Sequence, residues 1–186
     1  MAQSTPTRNW QLLIIRGLLY GLLGVSMLLA SSPPMQLFGG LLVSAGVCGC
    51  IYAIYSLQID RNYFWEALRS LADIGFGIWF LVYSQGDVSR FLDVLGFWGV
   101  MYVFIQAVQT IYAFMLLGLK QPRNRLGNLL HFGAVLASGA IAFTALTSAA
   151  ENPPLFLIGI LLILLGLIII FLAIQQRQTL LADKPV

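Results

Sequence analysis

The stretch PPLFLIGILLILLGLIIIFLAIQ, residues 153–175, decides how the chain is read. After two prolines, the 20 residues from Leu155 to Ile174 include no polar or charged side chain. A bilayer core of about 30 Å needs about 20 such residues in a helix. The same length test, carried outward along the chain, finds six stretches: Trp10 to Ala30, Gln36 to Leu57, Tyr63 to Tyr83, Phe91 to Leu119, Leu126 to Ser148 and Leu155 to Gln175. Turn-forming or charged breaks separate them: Ser-Ser-Pro-Pro at 31–34, Gln-Ile-Asp-Arg-Asn at 58–62, Ser-Gln-Gly-Asp at 84–87, Lys-Gln-Pro-Arg-Asn-Arg at 120–125 and Glu-Asn-Pro-Pro at 151–154. The composition agrees, with 59% hydrophobic and 9% charged residues, where a water-facing domain carries about 25% charged. The reading is an all-α integral membrane protein, a single membrane domain over residues 1–186 with no extramembrane domain, and the lipid bilayer is its first partner.

The few charges set the topology. Lysine and arginine collect in the short loops on the cytoplasmic side. Arg8, Arg61, Lys120, Arg123, Arg125, Arg177 and Lys184 fall in the N-terminus, the second and fourth loops and the C-terminus, which share one side of a six-span chain; Arg90 falls by the third loop, on the other. Both termini are therefore expected to be cytoplasmic. The net charge of +3 is what such a face requires and calls for no nucleic acid. A second reading of the first span, as a signal peptide cleaved after Ala-Ser-Ser at 30–32, competes with this one.

The opening stretch also has a counterpart. Shifted by 120 residues, 153–178 falls on 33–58 with ten identities, among them Pro33/Pro153, Pro34/Pro154, Gly39/Gly159 and Gly46/Gly166. A shift of 53 aligns Arg16/Arg69, Gly24/Gly77 and Gly46/Gly99; a shift of 115 sets Arg16 on His131 and Gly24 on Gly139. The chain thus reads as three tandem helix hairpins, approximately 10–60, 61–120 and 121–178, parallel repeats because each contains two spans. This makes the first helix part of the architecture and argues against its cleavage. The simplest packing is a six-helix bundle with a rough threefold axis along the membrane normal. The repeated Gly24, Gly46, Gly77, Gly99, Gly139 and Gly166 are expected where helix backbones approach closely.

With the repeat in view, the chain resembles the HdeD-like inner-membrane proteins, which are built from a short hydrophobic repeat. The resemblance rests on the hairpin with a proline or glycine turn, on RSLADIGFGIWFLVYS at 69–84 and on the tryptophan-glycine pair in VLGFWGVMY at 94–102. It covers about Trp10 to Gln178. It implies six spans, a bacterial inner membrane and, from the family's founding member, an acid-stress role, with no catalytic residues. The shifts place Tyr20 and Val135 where Asp73 stands, so only the middle hairpin carries the full pattern.

Ionisable groups inside spans usually face the bundle interior with a partner. Glu66, Arg69, Asp73 and Gly77 stand at i, i+3, i+7 and i+11 of the third span, on one helical face, and Arg69 with Asp73 makes an i, i+4 pair. Gly99, Tyr102, Gln106 and Gln109 form a similar stripe on the fourth. Counted outward from the third loop, Asp73 should lie level with Tyr102, Arg69 with Gln106 and Glu66 with Gln109. Glu66, Arg69, Asp73, Tyr102, Gln106 and Gln109 thus form an expected intramembrane polar cluster, either a hydrogen-bonded clasp that fixes helix register or a proton or small-solute site in which Asp73 titrates. His131 is a further titrating candidate. Arg16 is expected to snorkel to the cytoplasmic interface, and Asp93 to be met by solvent or Arg90. Cys48 and Cys50, two apart on a helix, cannot bond each other and should be small buried packers. Trp10 and Trp65 suit an aromatic belt, while Trp98 lies deeper, toward the outer half.

One histidine and two cysteines exclude a bis-histidine haem, a four-ligand zinc site of cysteines and histidines and an ordinary iron–sulfur centre. No metal or cofactor is expected. Walker, Gly-x-Ser-x-Gly and HExxH motifs do not occur, so the chain reads as a non-enzymatic membrane protein in envelope or acid-stress response. The alternative is a small transporter or channel for protons or a small solute. Self-association or a membrane-protein partner suits a glycine-rich bundle.

Overall fold

The computed structural model describes residues 10–30, 32–56, 63–83, 86–117, 125–148 and 153–182. Six helices occupy them: α1 (Trp10–Leu29), α2 (Met35–Ser56), α3 (Tyr63–Tyr83), α4 (Val88–Leu117), α5 (Arg125–Thr147) and α6 (Leu155–Ala182). The starts follow local chemistry. Pro33 and Pro34 precede α2 as Pro153 and Pro154 precede α6, and both ends close alike: Phe38 N–H donates to the Pro34 carbonyl at 2.8 Å and Ile158 N–H to that of Pro154 at 3.1 Å. Asp87 caps α4 by accepting the Arg90 N–H at 3.2 Å. That cap starts α4 three residues before the expected Phe91. At the far end α6 runs past Gln175, because Gln-Gln-Arg-Gln and the leucines after them, though polar at first, are good helix formers.

Five helices are long and apolar enough to cross a bilayer: α1, α2, α4, α5 and α6. The sixth, α3, matches them in length at 21 residues but carries Glu66, Arg69 and Asp73 in its first half. The outer surface of the bundle is apolar all round, with Leu18, Ile54, Leu71, Val82, Phe104, Leu129, Phe143, Phe156 and Phe171 exposed, while Arg16, Arg69, Asp73 and Gln106 are buried. That inversion of the soluble pattern suits lipid as solvent and is compatible with a polytopic membrane protein.

The helices form a closed ring in chain order. α1 packs most extensively on α6, α2 on α3 and α4 on α5, and the sequential pairs α1–α2, α3–α4 and α5–α6 share less surface. Small residues explain the tight seams. A Cβ added at Gly166 would lie 2.6 Å from the Gly17 carbonyl oxygen, and one at Gly159 2.8 Å from that of Gly24, so α1 and α6 touch backbone to backbone. Gly77 meets Gly39 and Val43 across the α2–α3 seam, Gly46 meets Ser70 and Ile74 there, and Gly99 meets Ala142 between α4 and α5. Of the six repeated glycines, Gly139 departs from expectation: its added Cβ would find Val103 at 3.6 Å, an ordinary contact. The α4–α5 seam is close at Gly99, which meets Ala142, and at Gly96, which meets Leu146, but not at Gly139.

The interior divides at mid-depth. Toward the helix ends at Leu29, Met35, Tyr83, Val88, Thr147 and Leu155 it is apolar apart from the Ser138 hydroxyl, which donates to the Ala134 carbonyl at 2.7 Å, with Leu23, Met27, Phe38, Leu42, Phe80, Phe91, Leu95, Ile141, Ile158 and Leu162. Phe38, Phe80 and Phe91 close on one another with ring centroids 4.8 to 5.4 Å apart. Toward the chain termini it is polar.

Candidate functional site: a buried ion-pair network

Four charged residues from two helices meet in that polar half. Arg16 and Tyr20 lie one turn apart on α1, on the inward face shared with Leu13, Leu23 and Met27. Glu66, Arg69 and Asp73 occupy the inward face of α3. Arg16 forks between the two carboxylates, with Nη2 donating to Asp73 Oδ2 at 2.7 Å and Nη1 to Glu66 Oε2 at 2.7 Å. The other oxygen of Asp73 accepts from the Tyr20 hydroxyl at 2.8 Å and from Trp98 Nε1 of α4 at 3.1 Å. Glu66 Oε1 takes Arg69 Nη2 at 2.6 Å. Two guanidinium groups thus balance two carboxylates, and Asp73 joins three helices through donors to both its oxygens.

The network is fully buried at its centre and more exposed toward one end. Arg16 is 1% exposed and Asp73 0%, whereas the Glu66 side chain retains 16%. Gly49 of α2 makes room for this: a Cβ there would collide with the Ser70 hydroxyl and come within 3.2 Å of Arg16 Nη1. Ser70 is itself turned back, donating to the Glu66 carbonyl at 2.6 Å. The buried Tyr20, Trp98 and Tyr102 rings pack together beside the network at centroid distances of 5.4 to 6.2 Å.

The expected cluster is assembled in part. Glu66, Arg69 and Asp73 are together, and Tyr102 lies within electrostatic reach of all three and of Arg16. Gln106 and Gln109 are buried on the same stripe of α4, without hydrogen bonds from Gln106 to any described residue. His131 of α5, in the corresponding part of the ring, interacts electrostatically with Arg69 and Glu66.

Several expectations are overturned. Arg16 does not snorkel: its inward face, and the space left by Gly49, carry it to Asp73. Arg69 pairs with Glu66, not Asp73, because helical side chains lean toward the N-terminus and so reach back one turn. Asp73 lies level with Trp98, not Tyr102. Both stand ten residues in from their helix ends, counted from Tyr83 and from Val88, and the early start of α4 shifts the pairing by one turn. Asp93, by contrast, is exposed, in keeping with the solvent alternative expected for it, while Arg90 bridges Asp87 at 3.1 Å. Cys48 and Cys50 flank inward Gly49 and are half-buried thiols, not core packers. Three residues of the network, Arg16, Tyr20 and Trp98, lay outside the expected cluster. Their signal was present: the shift of 53 aligns Arg16 with Arg69 and Tyr20 with Asp73, and Trp98 stands one turn from Tyr102 on the same stripe.

Trp10 and Arg177 meet at the terminal end of the bundle, with the guanidinium 4.7 Å from the ring centroid, which ties α1 to α6. Among the described residues, no group of three or more His, Cys, Asp or Glu side chains could hold a metal ion. No protein-family model, curated protein or solved structure matches the chain.

Proposed function

We propose that the chain is a non-enzymatic six-span protein of a bacterial inner membrane, with both termini cytoplasmic, built from three tandem hairpins and acting in envelope or acid-stress response as the HdeD-like resemblance implies. In this reading the Arg16–Asp73 network is a clasp that holds α1, α3 and α4 in register. The observation that carries the clasp is the saturation of Asp73, whose two oxygens accept from Arg16, Tyr20 and Trp98 at full burial. A carboxylate that carries protons or solute must exchange partners with water; this one is closed off by side chains of two other helices. The alternation of tight seams between hairpins with looser ones within them supports the repeat.

The test combines stability, flux and growth. Removing one partner of a buried pair strands the other, at a cost of about 3–5 kcal/mol, whereas replacing both with apolar groups is often neutral. Asp73→Asn should therefore lower the unfolding temperature in detergent, and Arg16→Met with Asp73→Leu should be less destabilised than Asp73→Leu alone, although Tyr20 and Trp98 then lose their acceptor. Proton flux into liposomes should match protein-free vesicles for every variant, and a deletion strain should lose survival under acid or envelope stress until complemented. Wild-type proton flux that disappears in a still-folded Asp73→Asn protein would replace the clasp with a transport site.

A further inference from the structure

Below the clasp, toward the chain termini, lies a set of polar groups that the ion pairs do not use. The Tyr102 hydroxyl, both amide atoms of Gln106, Gln109 Oε1, Arg16 Nε and His131 Nδ1 are buried and have no hydrogen-bond partner among the described residues. Tyr102 is 1% exposed, Gln106 0% and Gln109 6%. They are not scattered. Tyr102, Gln106 and Gln109 follow one another at i, i+4 and i+7 on one face of α4. Tyr102 of α4 and His131 of α5 both lie within electrostatic reach of the Glu66–Arg69 pair.

Buried polar atoms are satisfied in nearly every native protein, by the chain or by something it holds. Here the described residues supply no partner, and the mix of donors and acceptors indicates what would fit. Gln106 is open at both its donor and its acceptor, Tyr102 offers a hydroxyl that does either, and Gln109 offers an acceptor. Among the described residues the nearby charges are already paired, Arg16 with Asp73 and Glu66, and Arg69 with Glu66, which favours an uncharged ligand. The apolar half of the interior, closed by Phe38, Phe80 and Phe91, makes the site blind on the other side.

We propose that Tyr102, Gln106, Gln109 and His131 line a one-sided binding site for small uncharged molecules that both donate and accept hydrogen bonds, either ordered water or a solute bearing an amide. The proposal rests on the bundle reading of the previous subsection but not on the stress role or on the clasp, and its readouts do not involve Asp73.

The experiment uses the full-length protein in nanodiscs, with water and acetamide as probes. In radiolytic hydroxyl-radical footprinting, Tyr102 should be labelled several-fold faster than Tyr20, which is equally buried but bonded. Acetamide should raise the unfolding temperature saturably in the wild type and in Gln36→Leu, whose side chain is exposed, and not in Gln106→Leu. Should Gln106→Leu fail to fold, Tyr102→Phe, which removes a single hydroxyl, makes the same comparison. Labelling together with a saturable acetamide shift identifies an amide-bearing solute as the ligand class, and labelling alone identifies water. Tyr102 labelled no faster than Tyr20, with no acetamide shift, overturns the site, as does a Gln106→Leu protein more stable than wild type, since a dry site would gain from losing its amide.

Discussion

Arg16 illustrates how a single missing Cβ can place a charge. A guanidinium buried within an apolar helix is costly, and it stays because two carboxylates and the open side of Gly49 receive it. Gly49→Val should then act on the network without touching a charged group. The added side chain would strike Ser70 and crowd Arg16, and overpacking of this kind costs about 1–3 kcal/mol. A lowered unfolding temperature, together with altered Trp98 fluorescence as its bond to Asp73 is disturbed, is the expected result. Ser70→Ala in the same background should recover part of the loss, because the first collision is with the Ser70 hydroxyl. At this scale the sequence was half legible. The stripe Glu66, Arg69, Asp73 follows from helical spacing within one element, but the partner of Asp73 lies 57 residues away, and spacing within α3 says nothing of which neighbouring helix will deliver a donor.

At the scale of the helix, glycine divides into two classes that composition does not separate. Gly24 and Gly166 lie where α1 and α6 touch through their backbones, so a Cβ at either must push the helices apart, whereas Gly75 of α3 has open space around its added Cβ. Gly24→Ala and Gly166→Ala are expected to lower stability and loosen the α1–α6 seam. Gly75→Ala should leave stability unchanged or raise it by up to about 1 kcal/mol, the difference in helix propensity between the two residues. Thermal unfolding of the three variants in one detergent checks the contrast. The repeated glycines picked out five of the seam positions, because a close seam requires a small residue wherever it recurs. Gly139 shows where that reasoning stops: on the α4–α5 seam it meets Val103 at an ordinary contact distance, and the repeat in sequence does not carry over to equal distance in space.

For the whole molecule, the polar half of the interior and the charged α3 depend on all the other helices. Alone, α3 carries three ionisable residues and would be a poor span; in the ring those residues face inward, and its outer side shows Leu71, Ile78 and Val82. If α3 crosses the membrane with the other five, both termini share a side. Reporter fusions check this: alkaline phosphatase should be active when fused after Gly86 and inactive at Met1 and Val186, with a cytoplasmic reporter giving the opposite pattern. Termini on opposite sides would mean five spans and would remove α3 from the bilayer.

Length and hydropathy, read residue by residue, were enough for the helices and the inward stripe of α3, because each of these depends on neighbours within a few turns of the chain; the expected breaks at 58–62 and 120–124 lie outside the described residues. The ring order, the fork of Arg16, the closure of Asp73 by Trp98 and the split of the interior into apolar and polar halves arise only when distant helices meet. Their cause is geometric: which side chain fills the space between two helices depends on how closely the backbones approach, and that distance is set jointly by small residues far apart in the chain.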